Sequence, residues 1–212
     1  MSNLASVLTG AAGPHPRRPV LRIDGTVLTL LDLDELSARV AGGLVAHGVR
    51  PGDRVELAVA GAPVLPVLYF GALRAGAVAV VAAPRPVTAC GTRLVFTTGE
   101  GAHGAGTDAV RVGAGFLDQL VFWPQHSEVV RREDDEAAVV VGSWAGRGRR
   151  GRRDTYTHGA ARSVVAAGGG CPLSAPGLTG PRAVREFPGR GAAGHVPADR
   201  VAPLARAAGR GR

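Results

Sequence analysis

The densest run of chemistry-bearing residues in this sequence is Gly146-Arg147-Gly148-Arg149-Arg150-Gly151-Arg152-Arg153. Glycines let a backbone come close to an anion, and guanidinium forks pair with phosphate oxygens. Gly146 to Gly151 satisfies G-x-G-x-x-G and follows a predicted strand, Ala137 to Val141. A dinucleotide fingerprint also needs an apolar helix after the loop and an acid about 20 residues on. Neither is present, so on its own the run reads as an unstructured basic linker. The same run supports a second reading, an Arg/Gly tail that binds single-stranded nucleic acid through its charge. Stacking partners are sparse there, with only Trp144, Tyr156 and Phe187, widely spaced.

Other candidate groups carry less. Asp134 and Asp135 resemble a paired-carboxylate site, but they sit among four consecutive acids beside Arg131 and Arg132, as on a solvated face. His47 falls near a predicted helix end, and His15, His103, His126 and His195 fall in loop-like context. Cys90 and Cys171 are far apart in sequence, without CxxC or histidine at ligand spacing. They read as two unpaired thiols of a reducing, cytoplasmic protein, with no metal site. No basic segment followed by an apolar run opens the chain, so no signal peptide is expected.

The composition divides these groups between two unlike parts. All 25 basic residues are arginine, which excludes a Walker-type lysine, a Schiff base and a lysine general base. Residues 1–141 hold 12 Arg and 14 Asp/Glu, whereas 142–212 hold 13 Arg and three acids, a net +10. Gly, Pro and Arg supply nearly half of 142–212, which leaves too few large apolar groups to offset the entropy of ordering the backbone. The sequence therefore predicts an α/β unit over 1–141 and a basic, largely disordered tail over 142–212.

Within the first part, Ser2 is placed to cap a short helix through Leu4, Val7 and Leu8 that stops at Gly13-Pro14. Val20 to Ile23 and Val27 to Leu30 flank Asp24-Gly25, a two-residue hairpin signal. Leu33, Leu36, Val40 and Leu44 mark an amphipathic helix, acidic in its first turn and ended by Gly48. Pro51-Gly52-Asp53 turns the chain into a strand at Val55, Leu57 and Val59. Pro63 begins a second helix that runs to about Ala75, with Gly76 as its stop. Leu57 to Leu73 is uncharged, yet its shortness and its two prolines, Pro63 and Pro66, make it strand, turn and helix, with no membrane span. Ala77 to Ala82 and Arg93 to Thr97 read as further strands. The connection between them is short for a parallel crossover, so either an element is missing or the pairing differs. Phe116 to Trp123 reads as helix, Ala137 to Val141 as a buried strand, and Thr157 to Ala167 as a short helix.

The stretch LRIDGTVLTLLDLDELSARVAGGLVAHGVRPGDRVEL, followed by PVLYFGALRAGAVAV, resembles the N-terminal segment of the adenylate-forming enzymes, within them most of all the fatty-acid–CoA ligases. FLDQLVFWPQHSEVVRREDDEAAVVV is similar to the approach to their phosphate-binding loop, and THGA (Thr157 to Ala160) to the residues after it. The resemblance covers about residues 4–141. It implies ATP, magnesium and coenzyme A as cofactors, a fatty acid as substrate, and an acyl-adenylate that coenzyme A converts to a thioester. It also places the phosphate loop at Gly142 to Gly151, where Ser143 and Gly151 match and Arg150 occupies the lysine position. The loop's threonines are lacking, and His158 is the one histidine inside a family-like motif, where a structural role is the ordinary one. A helix that the family has near Ala89-Cys90 is missing, and none of its later motifs is present. The expectation is a truncated, frameshifted and inactive ligase-like chain, the alternative a nucleic-acid-binding protein with an Arg/Gly tail.

Overall fold

A computed structural model describes residues 3–59, 62–82, 91–99, 107–142 and 152–166. Asn3 starts the first helix, α1 (Ser6–Ala12). Its side-chain oxygen takes the Ala5 N–H and its carbonyl takes the Ser6 N–H. Ser2, expected to cap this helix, lies outside the described residues. The hairpin β1 (Pro19–Ile23) and β2 (Thr26–Thr29) forms a sheet of its own. Asp24 and Gly25 both take positive φ, 48° and 83°, as a tight turn between twisted strands demands.

Leu30, expected to finish the second strand, instead begins α2 (Leu30–Ala46). Thr29 decides the boundary: its hydroxyl accepts the Asp32 N–H while the Asp32 carboxylate accepts the Thr29 N–H. The reciprocal pair satisfies two donors that a helix start leaves orphaned. Further along are β3 (Arg54–Ala58), α3 (Leu65–Arg74), β4 (Val78–Ala82), β5 (Thr92–Thr97), β6 (Asp108–Arg111) and α4 (Phe116–Leu120). The last elements are β7 (Glu136–Gly142), β8 (Arg152–Thr157) and α5 (His158–Ala166), so β8 and α5 both lie beyond Val141.

Six strands make one sheet in the order β6-β5-β3-β4-β7-β8. All neighbours are parallel except β7 and β8. Val55, Leu57, Ala79, Val81, Leu94 and Phe96 join the buried residues of α2 and α3 in the main core. Every residue of α3 is buried. Close approach of α2 and α3 requires Gly71, where a Cβ would stand 2.3 Å from Val40 Cγ1. Val78, Val80 and Val139, alternating with the core residues, form a small second cluster. Glu56, 1% exposed, pairs in register with Val80.

The short connection is explained by pairing. β5 does not lie beside β4; both lie parallel to β3, on opposite sides of it. The return path is about 19 Å, one strand length back and two strand spacings across, and nine residues reach about 30 Å. The segment around Ala89-Cys90 lies outside the described residues.

From Pro124 to Val130 the chain runs along α2 and α3 as an extended strap. The His126 N–H donates to the Ala38 carbonyl, and the Val129 N–H to the Arg74 carbonyl. Gly42 and Gly43 make room for it: a Cβ on Gly42 would lie 1.8 Å from the Pro124 carbonyl oxygen, and one on Gly43 1.9 Å from the Trp123 ring. The Trp123 ring also stands edge-on to Phe116 at 6.1 Å.

Candidate functional site

Because β3 to β7 are all parallel, Ala58, Ala82, Thr97, Arg111 and Gly142 end on one edge of the sheet. Strand order reverses about β3, with β5 and β6 on one side and β4 and β7 on the other. In open α/β sheets, ligands bind outside the carboxyl ends of the strands, at such a reversal. β8 returns antiparallel beside β7, with Gly142 opposite Arg152. The nine residues between them therefore leave and re-enter at that carboxyl edge. Ser143, Arg150 and Gly151, the site residues taken from the sequence, belong to this connection and lie outside the described residues.

β8 itself is not legible as a strand from sequence. Its residues RRDTYT have no apolar run, because β8 is an edge strand. Tyr156, 4% exposed and opposite Ala138, follows the exposed Thr155. The Thr-Tyr-Thr alternation is the one signal that could have found it.

Among the described residues the histidines do not converge. His158 is 0% exposed, and its Nδ1 accepts the Leu4 N–H at 2.9 Å. Burial disfavours its charged form, Arg131 adds to that, and the opposing Asp135 does not offset it; the ring's pKa falls to about 4. His47 is exposed, with Nδ1 2.7 Å from the Gly43 carbonyl oxygen and its ring 5.9 Å from that of Trp123. His103, His195, Cys90 and Cys171 lie outside the described residues.

The acidic run divides, and only part of it is the solvated face expected. Asp134 and Arg132 pair at the surface. Asp135, itself partly exposed, takes the Arg132 N–H at 2.9 Å and faces the largely buried Arg131 guanidinium at 3.2 Å. The backbone N–H holds the Asp135 carboxyl below its ordinary pKa, with Arg131 assisting. The two carboxylates thus face different guanidinium groups, Asp134 that of Arg132 and Asp135 that of Arg131, and form no paired-carboxylate site. A half-buried ion pair escaped sequence reasoning altogether: Arg74, at the end of α3, is 5% exposed and pairs with the partly exposed Asp34 of α2. Glu128 of the strap is pushed up by burial and partly drawn back by Arg74. Period alone put Asp34 in a helical first turn without revealing its distant partner.

Among the described residues no group of three or more His, Cys, Asp or Glu could hold a metal ion. Nor is any described helix long and apolar enough to cross a membrane.

Residues 8–95 match the AMP-binding enzyme family. Triostin synthetase I of Streptomyces triostinicus is 38% identical over 81 residues, which are 38% of this chain and 15% of that protein. A benzoate CoA ligase from Burkholderia xenovorans LB400 superposes with a TM-score of 0.66 at 22% identity, over 79% of this chain and 37% of that one. A fatty acyl CoA synthetase of Mycobacterium tuberculosis gives 0.64 at 20% identity, over 78% and 36%. The chain is thus similar to the N-terminal part of adenylate-forming enzymes and has the α/β fold of that part. It spans well under half the length of each of these proteins.

Proposed function

We propose that the chain carries the N-terminal part of an ATP-dependent acyl-CoA synthetase acting on a fatty acid. In that reaction a carboxylate oxygen attacks the α-phosphorus of ATP and pyrophosphate leaves. The thiol of coenzyme A then attacks the acyl carbonyl, and AMP leaves. One observation carries the reading: the connection between Gly142 and Arg152 opens at the carboxyl edge of a parallel sheet, in a chain whose residues 8–95 match the AMP-binding family. On this reading the glycine amides and the Ser143 hydroxyl donate to the pyrophosphate oxygens, where charge builds up. Arg150 brings a planar fork where a lysine would bring a compact point charge, and the two are not interchangeable. The loop's threonines have no counterpart, so this chain is proposed to be inactive in adenylation. ATP–pyrophosphate exchange with a panel of fatty and aromatic acids is expected to stay at background. Exchange that depends on one of those acids would refute the proposed inactivity.

The net +10 of residues 142–212 favours a second reading, binding of single-stranded nucleic acid. Binding to an oligonucleotide that persists at physiological salt would support it, and loss there would reduce it to charge attraction.

A further inference from the structure

His158, the first residue of α5, makes one polar contact through its ring, and that contact joins the two ends of the described chain. Because Nδ1 accepts the Leu4 N–H, the neutral ring carries its proton on Nε2. Nε2 is buried and has no hydrogen-bond partner among the described residues. The single contact therefore uses the one ring atom that a further proton would occupy.

The ring rivets two parts of the fold. On one side stands the N-terminal segment, which Asn3 ties down by donating to the Leu73 and Val129 carbonyls. On the other stands α5, whose first turn is fixed to the turn before β7. There the His158 N–H donates to the Asp135 carbonyl at 3.1 Å, and the Gly159 N–H to that of Glu133 at 2.8 Å. The charged groups that act on the ring are Arg131 and Asp135 from that turn; of the other charged residues on the neighbouring elements, Glu133 lies in the same turn, Arg162 one turn along α5, and Arg74 at the end of α3 beyond Leu73. The segment Asn3 to Ala5 brings none.

We propose that His158 is an acid-operated latch: when neutral it holds the N-terminal segment on α5, and when protonated at Nδ1 it releases the Leu4 amide. The sheet keeps its own ladder, in which the ring takes no part. Burial and Arg131 lower the ring's pKa to about 4 in the closed state, and release, by letting water reach the ring, raises it toward the ordinary value of about 6.5. The released state therefore binds the proton first. The latch contributes fully above pH 6.5, weakens as pH falls, and contributes nothing below 4. Across that interval the closed-to-open ratio falls about a hundredfold.

The test is native-state hydrogen exchange of the full chain, read as protection factors from pH 7 to 4. The Leu4 amide is expected to lose about a hundredfold of protection while amides of β3 and β4 keep theirs. A pH-independent Leu4, or a core that loses protection in step with it, overturns the proposal. His158→Asn offers an oxygen near the Nδ1 position that gains no proton, so it should keep Leu4 protected throughout. The same pH dependence in that variant would also overturn the latch. Should the variant not fold, the wild-type ring nitrogen signals decide. A proton on Nε2 at pH 7 and titration near 4 support the latch; a proton on Nδ1, or titration near 6.5, refutes it.

Discussion

Replacing Gly42 by alanine sets a local preference against a tertiary contact. Alanine in a helix interior is better than glycine by about 0.5–1 kcal/mol. Gly42, however, faces the strap, and its added Cβ would stand 1.8 Å from the Pro124 carbonyl oxygen, a backbone atom with no rotamer to change. To reach even 3.0 Å the strap must retreat, which strains the bond from the His126 N–H to the Ala38 carbonyl. Overpacking of this kind costs about 1–3 kcal/mol, and a lost hydrogen bond about 1 kcal/mol. The net expectation is a loss of about 2 kcal/mol despite the better helix former. Gly10, exposed within α1, is the control: nothing lies within 4 Å of its Cβ position, so alanine there should stabilise by about 0.5–1 kcal/mol. Urea unfolding at an unchanged m of about 2–3 kcal/mol/M should show the Gly42→Ala midpoint about 1 M below wild type and the Gly10→Ala midpoint slightly above it. A Gly42→Ala protein as stable as wild type would refute the packing argument.

Thr29→Ala removes the reciprocal cap of α2 and should cost about 1 kcal/mol in the same unfolding measurement. Asp34→Ala strands the buried Arg74 cation and should cost about 3 kcal/mol; adding Arg74→Met should recover most of it, and a double-mutant cycle reads the coupling. In a carboxyl-carbon NMR titration Asp135 should titrate below, and Glu128 above, its ordinary value. Asp135 then favours folding above pH 3.8 and loses that contribution as pH falls. Glu128 acts in the opposite sense, and Arg74→Met should raise it further.

Where local sequence decides the structure, it could be read. Asp24-Gly25 required positive φ, the period of Leu33 to Leu44 required a helix, and continuous apolar runs required buried parallel strands. The start of α2 shows the limit: Leu30 continues the strand's apolar pattern, and only the Thr29–Asp32 exchange moves it into the helix. β8 shows another, since an edge strand needs little apolar surface and so leaves little pattern. Arg74 looks solvated in sequence, and its burial beside Asp34 arises from packing α3 beneath α2. The structure fixes where the connection between β7 and β8 starts and ends, at Gly142 and Arg152. That this connection holds phosphate through Ser143, Arg150 and Gly151 belongs to the proposed function, and local pattern alone gave no sign of it.

The strand order also sets a sequence of events for a folding chain. Val55 meets Ala79 through the short loop that carries α3, whereas Ala79 meets Ala138 only by closing a loop more than twice as long. Closing the longer loop costs about 0.8 kcal/mol more by chain entropy alone. The unit β3-α3-β4 can therefore form early as a nucleus on which β5 docks. The β7–β8 hairpin is added later, by a search over a longer tether. Substitutions at Val55 or Val81 should then slow refolding, while substitutions at Val139 or Tyr156 should chiefly hasten unfolding.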